Sequence, residues 1–206
     1  MNTQTAARLA ALNQQFYQTF AAQFDATRQR VQPGVARALA GLPAGAAVLD
    51  VGCGNGSAAR WLAERGQRGA YLGVDGSAEL LAAARADLAR SPDFPARFEQ
   101  MDLLALPAPL PAIFDFAGAF AVLHHLPGEA ARLGALAWLR AALKPGGQAV
   151  VSNWQFLSSA KMRSRLLPWE QVGLSADEVD AGDYLLDWRR GGSGYRYLHH
   201  FSADEL

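Results

Sequence analysis

A chain of 206 residues, half of them hydrophobic, can bury one sizeable core and is too short for two full domains. Nineteen Lys and Arg offset nineteen Asp and Glu. That balance argues against gripping nucleic acid by global charge and leaves only a local basic patch open. The single cysteine, Cys53, excludes an internal disulfide and suits a reducing cytosol. The polar start, Met1-Asn2-Thr3-Gln4, lacks the apolar core of a signal peptide. The most apolar run, Ala112 to Leu123, is interrupted by Asp115 and too short to span a bilayer. The expectation is a soluble cytoplasmic protein with no membrane partner.

In chain order, Leu9, Leu12, Phe16, Phe20 and Phe24 recur at helical spacing and predict an amphipathic N-terminal helix. Pro33-Gly34 breaks the pattern, and a short helix runs to about Ala40. The turn cluster Gly41 to Gly45 leads into a first strand ending at Val51. Strands and helices then alternate. A helix is predicted from Ser57 to Arg65 with Gly66 as its stop, then a strand at Tyr71–Asp75. Ser77 caps a long helix to about Arg90, and Ala96 to Met101 forms a third strand. Asp102 opens a proline-rich loop through Pro111, and strand four follows at Ile113 to Phe120. A helix over Glu129–Leu143, the turn Lys144-Pro145-Gly146-Gly147 and a strand over Gln148–Trp154 complete the alternation. This α/β pattern implies a doubly wound, mostly parallel sheet with flanking helices, a Rossmann-like fold. Three regions are expected: a helical cap over 1–45, an α/β core over 46–154, and a segment over 155–206 laid on the sheet's carboxyl edge. Within that segment Gln155 to Leu167 reads as a helix carrying Lys161, Arg163 and Arg165, and Gly191 to Gly194 as a flexible turn.

The chemistry centres on Val48 to Gly56, a β-branched run ending in Asp50-Val51 and then Gly52-Cys53-Gly54-Asn55-Gly56. Glycines between a strand and a helix start let backbone N–H groups approach a ligand with no Cβ in the way. Ser57 stands where a dinucleotide fingerprint would have its third glycine. Asp50 would repel a pyrophosphate and suits a cationic amine or sulfonium, which favours S-adenosylmethionine (SAM) over NAD. Asp75, about twenty residues on, can accept both hydroxyls of a ribose. Asp102, at the third strand end, can take an adenine amino proton with Leu103 against the ring. Three carboxylates at three successive strand ends are far more specific than any one alone. Cys53 in the glycine loop and Gly76 after the second strand join these expected cofactor residues.

Val48 to Gly56, Gly73 to Ser77, Met101-Asp102-Leu103, Phe114-Asp115 through Ala121 to Leu126, and Leu143 to Gly147 resemble the ordered motifs of class I SAM-dependent methyltransferases. That resemblance implies SAM as cofactor, S-adenosylhomocysteine as product, and no metal, with Ala119 and Phe120 beside the methionine and sulfonium. A narrower resemblance rests on Phe16-Tyr17, Phe24 to Arg28, His124-His125, Gly182 to Trp188 and Arg196 to Phe201 with Glu205-Leu206. These are similar to the tRNA wobble-uridine carboxyl methyltransferases, which methylate the carboxylate of a carboxymethyluridine. It implies that Arg28 contacts the cofactor and that Asp183, Arg196 and His199 face the acceptor. Asp187 and Leu198 depart from that family's usual proline and tyrosine. The chain also ends where a last helix and antiparallel hairpin are expected, as in a shortened form. A carboxylate acceptor is ionised at neutral pH and needs no base. An amine or hydroxyl acceptor would want one, from His124, His199 or Asp183. The alternatives are a small-molecule methyltransferase, a SAM-binding protein without turnover that works with an activating partner, and a dehydrogenase.

Overall fold

The computed structural model describes residues 1–26 and 30–206. Five parallel strands form the main sheet: β1 (Val48–Val51), β2 (Tyr71–Asp75), β3 (Ala96–Gln100), β4 (Phe114–Phe120) and β5 (Leu143–Ser152). Their order is β3-β2-β1-β4-β5, so the direction of winding reverses between β1 and β4. Ligands bind such sheets at the crevice beyond the strand ends at that reversal. Both faces are covered, which is why β1 is buried at all four positions. The helices α2 (Pro33–Ala40), α3 (Ser57–Ala63) and α4 (Ala78–Leu88) lay Leu39, Leu62 and Leu81 against Tyr71, Phe98 and Phe116. On the opposite face α5 (Glu129–Ala141) packs Trp138 and Leu139 on Leu49, Val51 and Val74.

Element ends follow local chemistry. Ser77 caps α4 by accepting from the Leu80 N–H at 3.2 Å. The predicted turn at Lys144–Gly147 instead lies inside β5: the strand starts at Leu143, and Gly146 takes a positive φ of 82° where the β4–β5 register slips. The glycine absorbs an irregularity within the strand.

Beyond β5 the structure departs from expectation. The helix predicted over Gln155–Leu167 is a 3-10 turn at Phe156–Ser158, a four-residue α6 (Ala160–Arg163) and a short strand β6 (Leu166–Leu167). With β7 (Asp183–Trp188) and β8 (Gly194–His199), β6 makes a separate antiparallel sheet in the order β6-β7-β8. Its strands bury Leu185, Leu186, Tyr197 and Leu198 almost completely. The predicted glycine turn joins β7 to β8. No further strand pairs with the outer edge of β5 among the described residues.

The N-terminal helix α1 (Thr3–Asp25) ties the two sheets together and bends at Phe20, which leaves helical geometry (φ −116°, ψ 18°). Leu9 packs with Trp169, Leu185 and Tyr197, and Phe16 and Phe20 pack with Trp188. Asn13 is buried, and its amide behaves like a strand partner. It accepts from Tyr197 N–H at 2.9 Å and donates to the Tyr197 carbonyl at 3.1 Å, so the free edge of β8 is satisfied. Among the described residues no helix is long and apolar enough to cross a membrane.

Candidate active site

The carboxyl ends of β1, β2, β4 and β5 open into a cavity of about 1100 Å³ roofed by α1. Its floor is the glycine loop after β1. Val74 C=O accepts from both Gly52 N–H (2.7 Å) and Cys53 N–H (3.0 Å), which pins the loop to β2. Gly52 has a φ of 71°, and a Cβ there would lie 2.2 Å from Val122, so the loop and the end of β4 meet as closely as backbone allows. Gly54 has a φ of 54°, and its missing Cβ would point into open space within the cavity. A ligand can therefore rest on its backbone.

Asp75 locks this arrangement. Its two oxygens accept from Gly54 N–H at 2.8 Å and Ser77 N–H at 2.9 Å. Each oxygen keeps a further lone pair, enough for two hydroxyls of a sugar. Burial raises the Asp75 carboxyl above its usual range, opposed by the N–H groups of Ser77, Gly54 and Gly76. Asp50 is buried and accepts from the Tyr71 hydroxyl at 2.5 Å. Desolvation pushes its carboxyl up to about 7, the Tyr71 bond works against this, and the charge of Asp75 adds to it. A cation nearby would hold Asp50 ionised. Asp102 is exposed at the rim, where it accepts from Leu104 N–H at 2.9 Å. The three strand-end acids all line the same cavity, together with Cys53, Gly76, Leu103 and Phe120.

Two expected cofactor residues are not at the site. Gly56 does not line the cavity: its φ of 72° starts α3, and a Cβ there would sit 2.9 Å from that of Ala84, so this glycine serves helix packing. Ala119 is buried in the core beneath α5, because alternation along β4 turns it away. Arg28 lies outside the described residues. The lining residues beyond Phe120 are instead Ala121 and Val122. Ala121 takes a left-handed φ of 59°, a strained conformation for a residue with a Cβ.

The residues expected to face the acceptor are elsewhere. Asp183 and His199 have fully buried side chains and do not line the cavity. Asp183 accepts from the Tyr197 hydroxyl at 2.7 Å and from Asp180 N–H at 3.0 Å, and lies 2.7 Å from His199 Nδ1. His199 Nε2 is 2.9 Å from Glu205, whose carboxyl is held down at about 2, chiefly by the Ser202 N–H. This network closes the end of the small sheet. Arg196 is also buried off the cavity, its guanidinium 5.1 Å from Trp154, 5.5 Å from Phe16 and 5.7 Å from Trp188. Of these three rings only that of Trp154 belongs to a residue that lines the cavity.

The walls opposite the acids come from α1 and the ends of β4 and β5: Gln14, Tyr17, Gln18, His125, Asn153 and Trp154. Tyr17 Oη lies 2.9 Å from His125 Nε2. His124, the other histidine of the pair, is buried and accepts from Trp154 N–H at 3.3 Å. Of Asp183, His124, His125 and His199, only His125 reaches the cavity. Sequence spacing gave the adjacency His124-His125 without saying which ring faces inward; the 3-10 turn at Leu123–His125 decides it. Among the described residues no cluster of His, Cys, Asp or Glu could hold a metal ion.

A doubly wound sheet with a glycine cradle, a sugar-ready acid on β2 and a buried acid on β1 defines an adenosine-cofactor enzyme fold. Residues 48–147 match the family described as "Methyltransferase domain". These residues, from β1 into β5, carry the match, and their fold is that of the SAM-dependent methyltransferases. It is 32% identical over 144 residues to the tRNA (carboxymethyluridine(34)-5-O)-methyltransferase of Mus musculus, covering 68% of this chain and 19% of that protein. It is 30% identical over 151 residues to the corresponding methyltransferase of Saccharomyces cerevisiae, covering 71% and 49%. This chain therefore spans less than half the length of either relative. A similarity of 34% over 110 residues links it to the ubiquinone biosynthesis O-methyltransferase of Stutzerimonas stutzeri, covering 53% and 45%. Among solved structures, a SAM-dependent methyltransferase from Mesorhizobium loti superposes with a TM-score of 0.55 at 25% identity, covering 84% of this chain and 74% of that one. The PH0226 protein of Pyrococcus horikoshii shares the fold at a TM-score of 0.63 and 16% identity, covering 93% and 85%.

Proposed function

We propose that this chain transfers a methyl group from SAM to a carboxylate, with the carboxymethyl group of a modified tRNA uridine as the acceptor. The observation that carries the reading is the division of the cavity. Asp50, Asp75 and Asp102 sit at the cofactor end, while the facing wall is Gln14, Tyr17, Gln18, His125, Asn153 and Trp154. Amides, a phenol and an imidazole can donate hydrogen bonds to an anion, and among the described residues no acid on that wall repels it.

When bound, SAM supplies an electrophilic methyl on a sulfonium. Around it, Asp75 would take the ribose hydroxyls, Asp102 and Leu103 the adenine, and Asp50 the cationic amino end. The protein's remaining task is to align the acceptor oxygen behind the methyl and exclude water. An ionised carboxylate needs no proton removed, so the burial of Asp183, His124 and His199 takes nothing from this chemistry. Tyr17 and His125 are the groups placed to orient the acceptor. A hydroxyl acceptor is the second reading, suggested by the O-methyltransferase relative and favoured by His125 as a candidate base among the described residues of the wall.

Radiolabelled SAM offered to the protein with tRNA carrying unesterified carboxymethyluridine should label the tRNA, and mild alkali should release the label as methanol. Label appearing only in a small-molecule extract would transfer the assignment to the second reading.

A further inference from the structure

The chain's zero net charge hides a strong segregation in the small sheet. Between Gln155 and Trp169 there are three cations and no acid; between Trp188 and Ala203 there are again three cations and no acid. The intervening stretch, Glu170 to Asp187, holds six acids and no Lys or Arg. The fold turns this sequence pattern into a spatial one. Leu166 pairs with Leu186 antiparallel, and Asp187 N–H donates to the Arg165 carbonyl at 3.0 Å. Arg165 therefore lies beside Asp187, two residues before Arg189. Lys161 and Arg163 lie on the one-turn helix α6 just before β6, so the antiparallel register puts them and Arg165 at the same end of the small sheet as Arg189 and Arg190 at the β7–β8 turn. The acids of the 175–183 loop lie at the other end of β7, roughly 17 Å away at about 3.3 Å per residue.

That basic end sits at the rim of the cavity. The turn glycines pack on α1: a Cβ on Gly191 would meet Gln23 at 2.6 Å, and one on Gly194 would meet Phe20 at 2.5 Å. The turn of α1 before these contacts carries Tyr17 and Gln18, two residues of the acceptor wall. Lys161, Arg163, Arg189 and Arg190 are exposed, and only Arg189 has an acidic partner shown, the buried Asp187.

We infer that the β6–β7–β8 sheet presents this basic end as a docking surface for the phosphate backbone of a nucleic acid whose acceptor nucleotide enters the cavity beside it. The inference rests on the tRNA reading and adds to it the surface that would hold the polymer. A small-molecule acceptor would have no use for five cations at the rim, whereas a polynucleotide gains affinity by releasing its counterions there.

The test uses the full chain and a fluorescent RNA stem-loop with a single-stranded loop. Lys161→Gln with Arg190→Gln removes two exposed cations whose side chains make no shown bond to the fold. Arg90→Gln with Arg97→Gln removes two cations near β3 as a control. The first pair should weaken RNA binding about tenfold and lower the slope of log affinity against log salt by roughly 0.7–0.9 per cation removed. Methyl transfer to the free carboxymethyluridine nucleoside and SAM affinity should stay at wild-type values. RNA binding and salt slope equal to wild type, or an equal fall in the control pair, would overturn the docking surface while leaving nucleoside methylation as support for the reaction. Failure of the wild type to methylate both RNA and nucleoside would instead remove the tRNA reading itself.

Discussion

At the scale of single residues, the proposed site turns on Gly54 and on Asp50, an acid with no counter-ion among the described residues. Gly54 faces the cavity with a left-handed φ. Gly54→Val would strain the loop and place a branched side chain in the cofactor's path, so SAM binding should be abolished in a calorimetric titration. Asp50 gives a pH signature. Its carboxyl is moved from 3.8 to about 7 by burial, so the folded protein retains a proton that the unfolded chain has lost over that interval. Its contribution to stability is therefore present below its unfolded value and lost as pH rises through about 7. SAM, being cationic, prefers the ionised form, so its affinity should rise between about pH 6 and pH 8. Asp50→Asn should flatten that profile in a pH series of titrations; an unchanged slope would mean that another group titrates.

At the scale of elements, the parallel sheet was legible and the small sheet was not. Alternating apolar strands and a capped helix at Ser77 identify β1 to β5 and α3 to α5 to within a few residues, because buried parallel strands must be continuously apolar. The glycine loop and the acids at 50, 75 and 102 could be read for the same reason: they stand at strand ends. Ala119 turns into the core instead of the cavity, and the alternation along β4 cannot be phased from sequence until both faces are known. Residues 155–167 have helical spacing, yet pairing with β7 draws Leu166 and Leu167 into a strand, a tertiary choice invisible locally. Asp183 and His199 are polar residues in a hydrophobic hairpin. Sequence alone does not distinguish a buried network from a reactive pair. From sequence, Tyr17 is singled out only by the narrower resemblance and Asn13 not at all, because their contacts span more than a hundred residues. Asn13 carries the clearest element-scale consequence. Asn13→Ala removes the partners of Tyr197 N–H and C=O, and should cost about 1–3 kcal/mol in urea unfolding. A midpoint equal to wild type would show that the edge of β8 finds other partners.

At the scale of the whole molecule, α1 and Arg196 couple the two sheets. The Arg196 guanidinium sits among rings from α1, the end of β5 and β7. Arg196→Ala should therefore disturb Trp154 and lower turnover, raising the acceptor KM several-fold, while SAM affinity changes less than about twofold, since the cofactor acids lie on other strands. Equal losses in both would place Arg196 in the general folding core. These assignments all presuppose an adenosine cofactor held over residues 52–56 with its sugar on Asp75. Titration calorimetry of S-adenosylhomocysteine into the wild type and into Asp75→Ala measures this directly. The wild type should bind one equivalent, and the variant should bind more weakly by about 1–3 kcal/mol, the scale of hydrogen-bonding groups left without a partner. Equal affinity of the two proteins, or no heat with the wild type, would contradict the account.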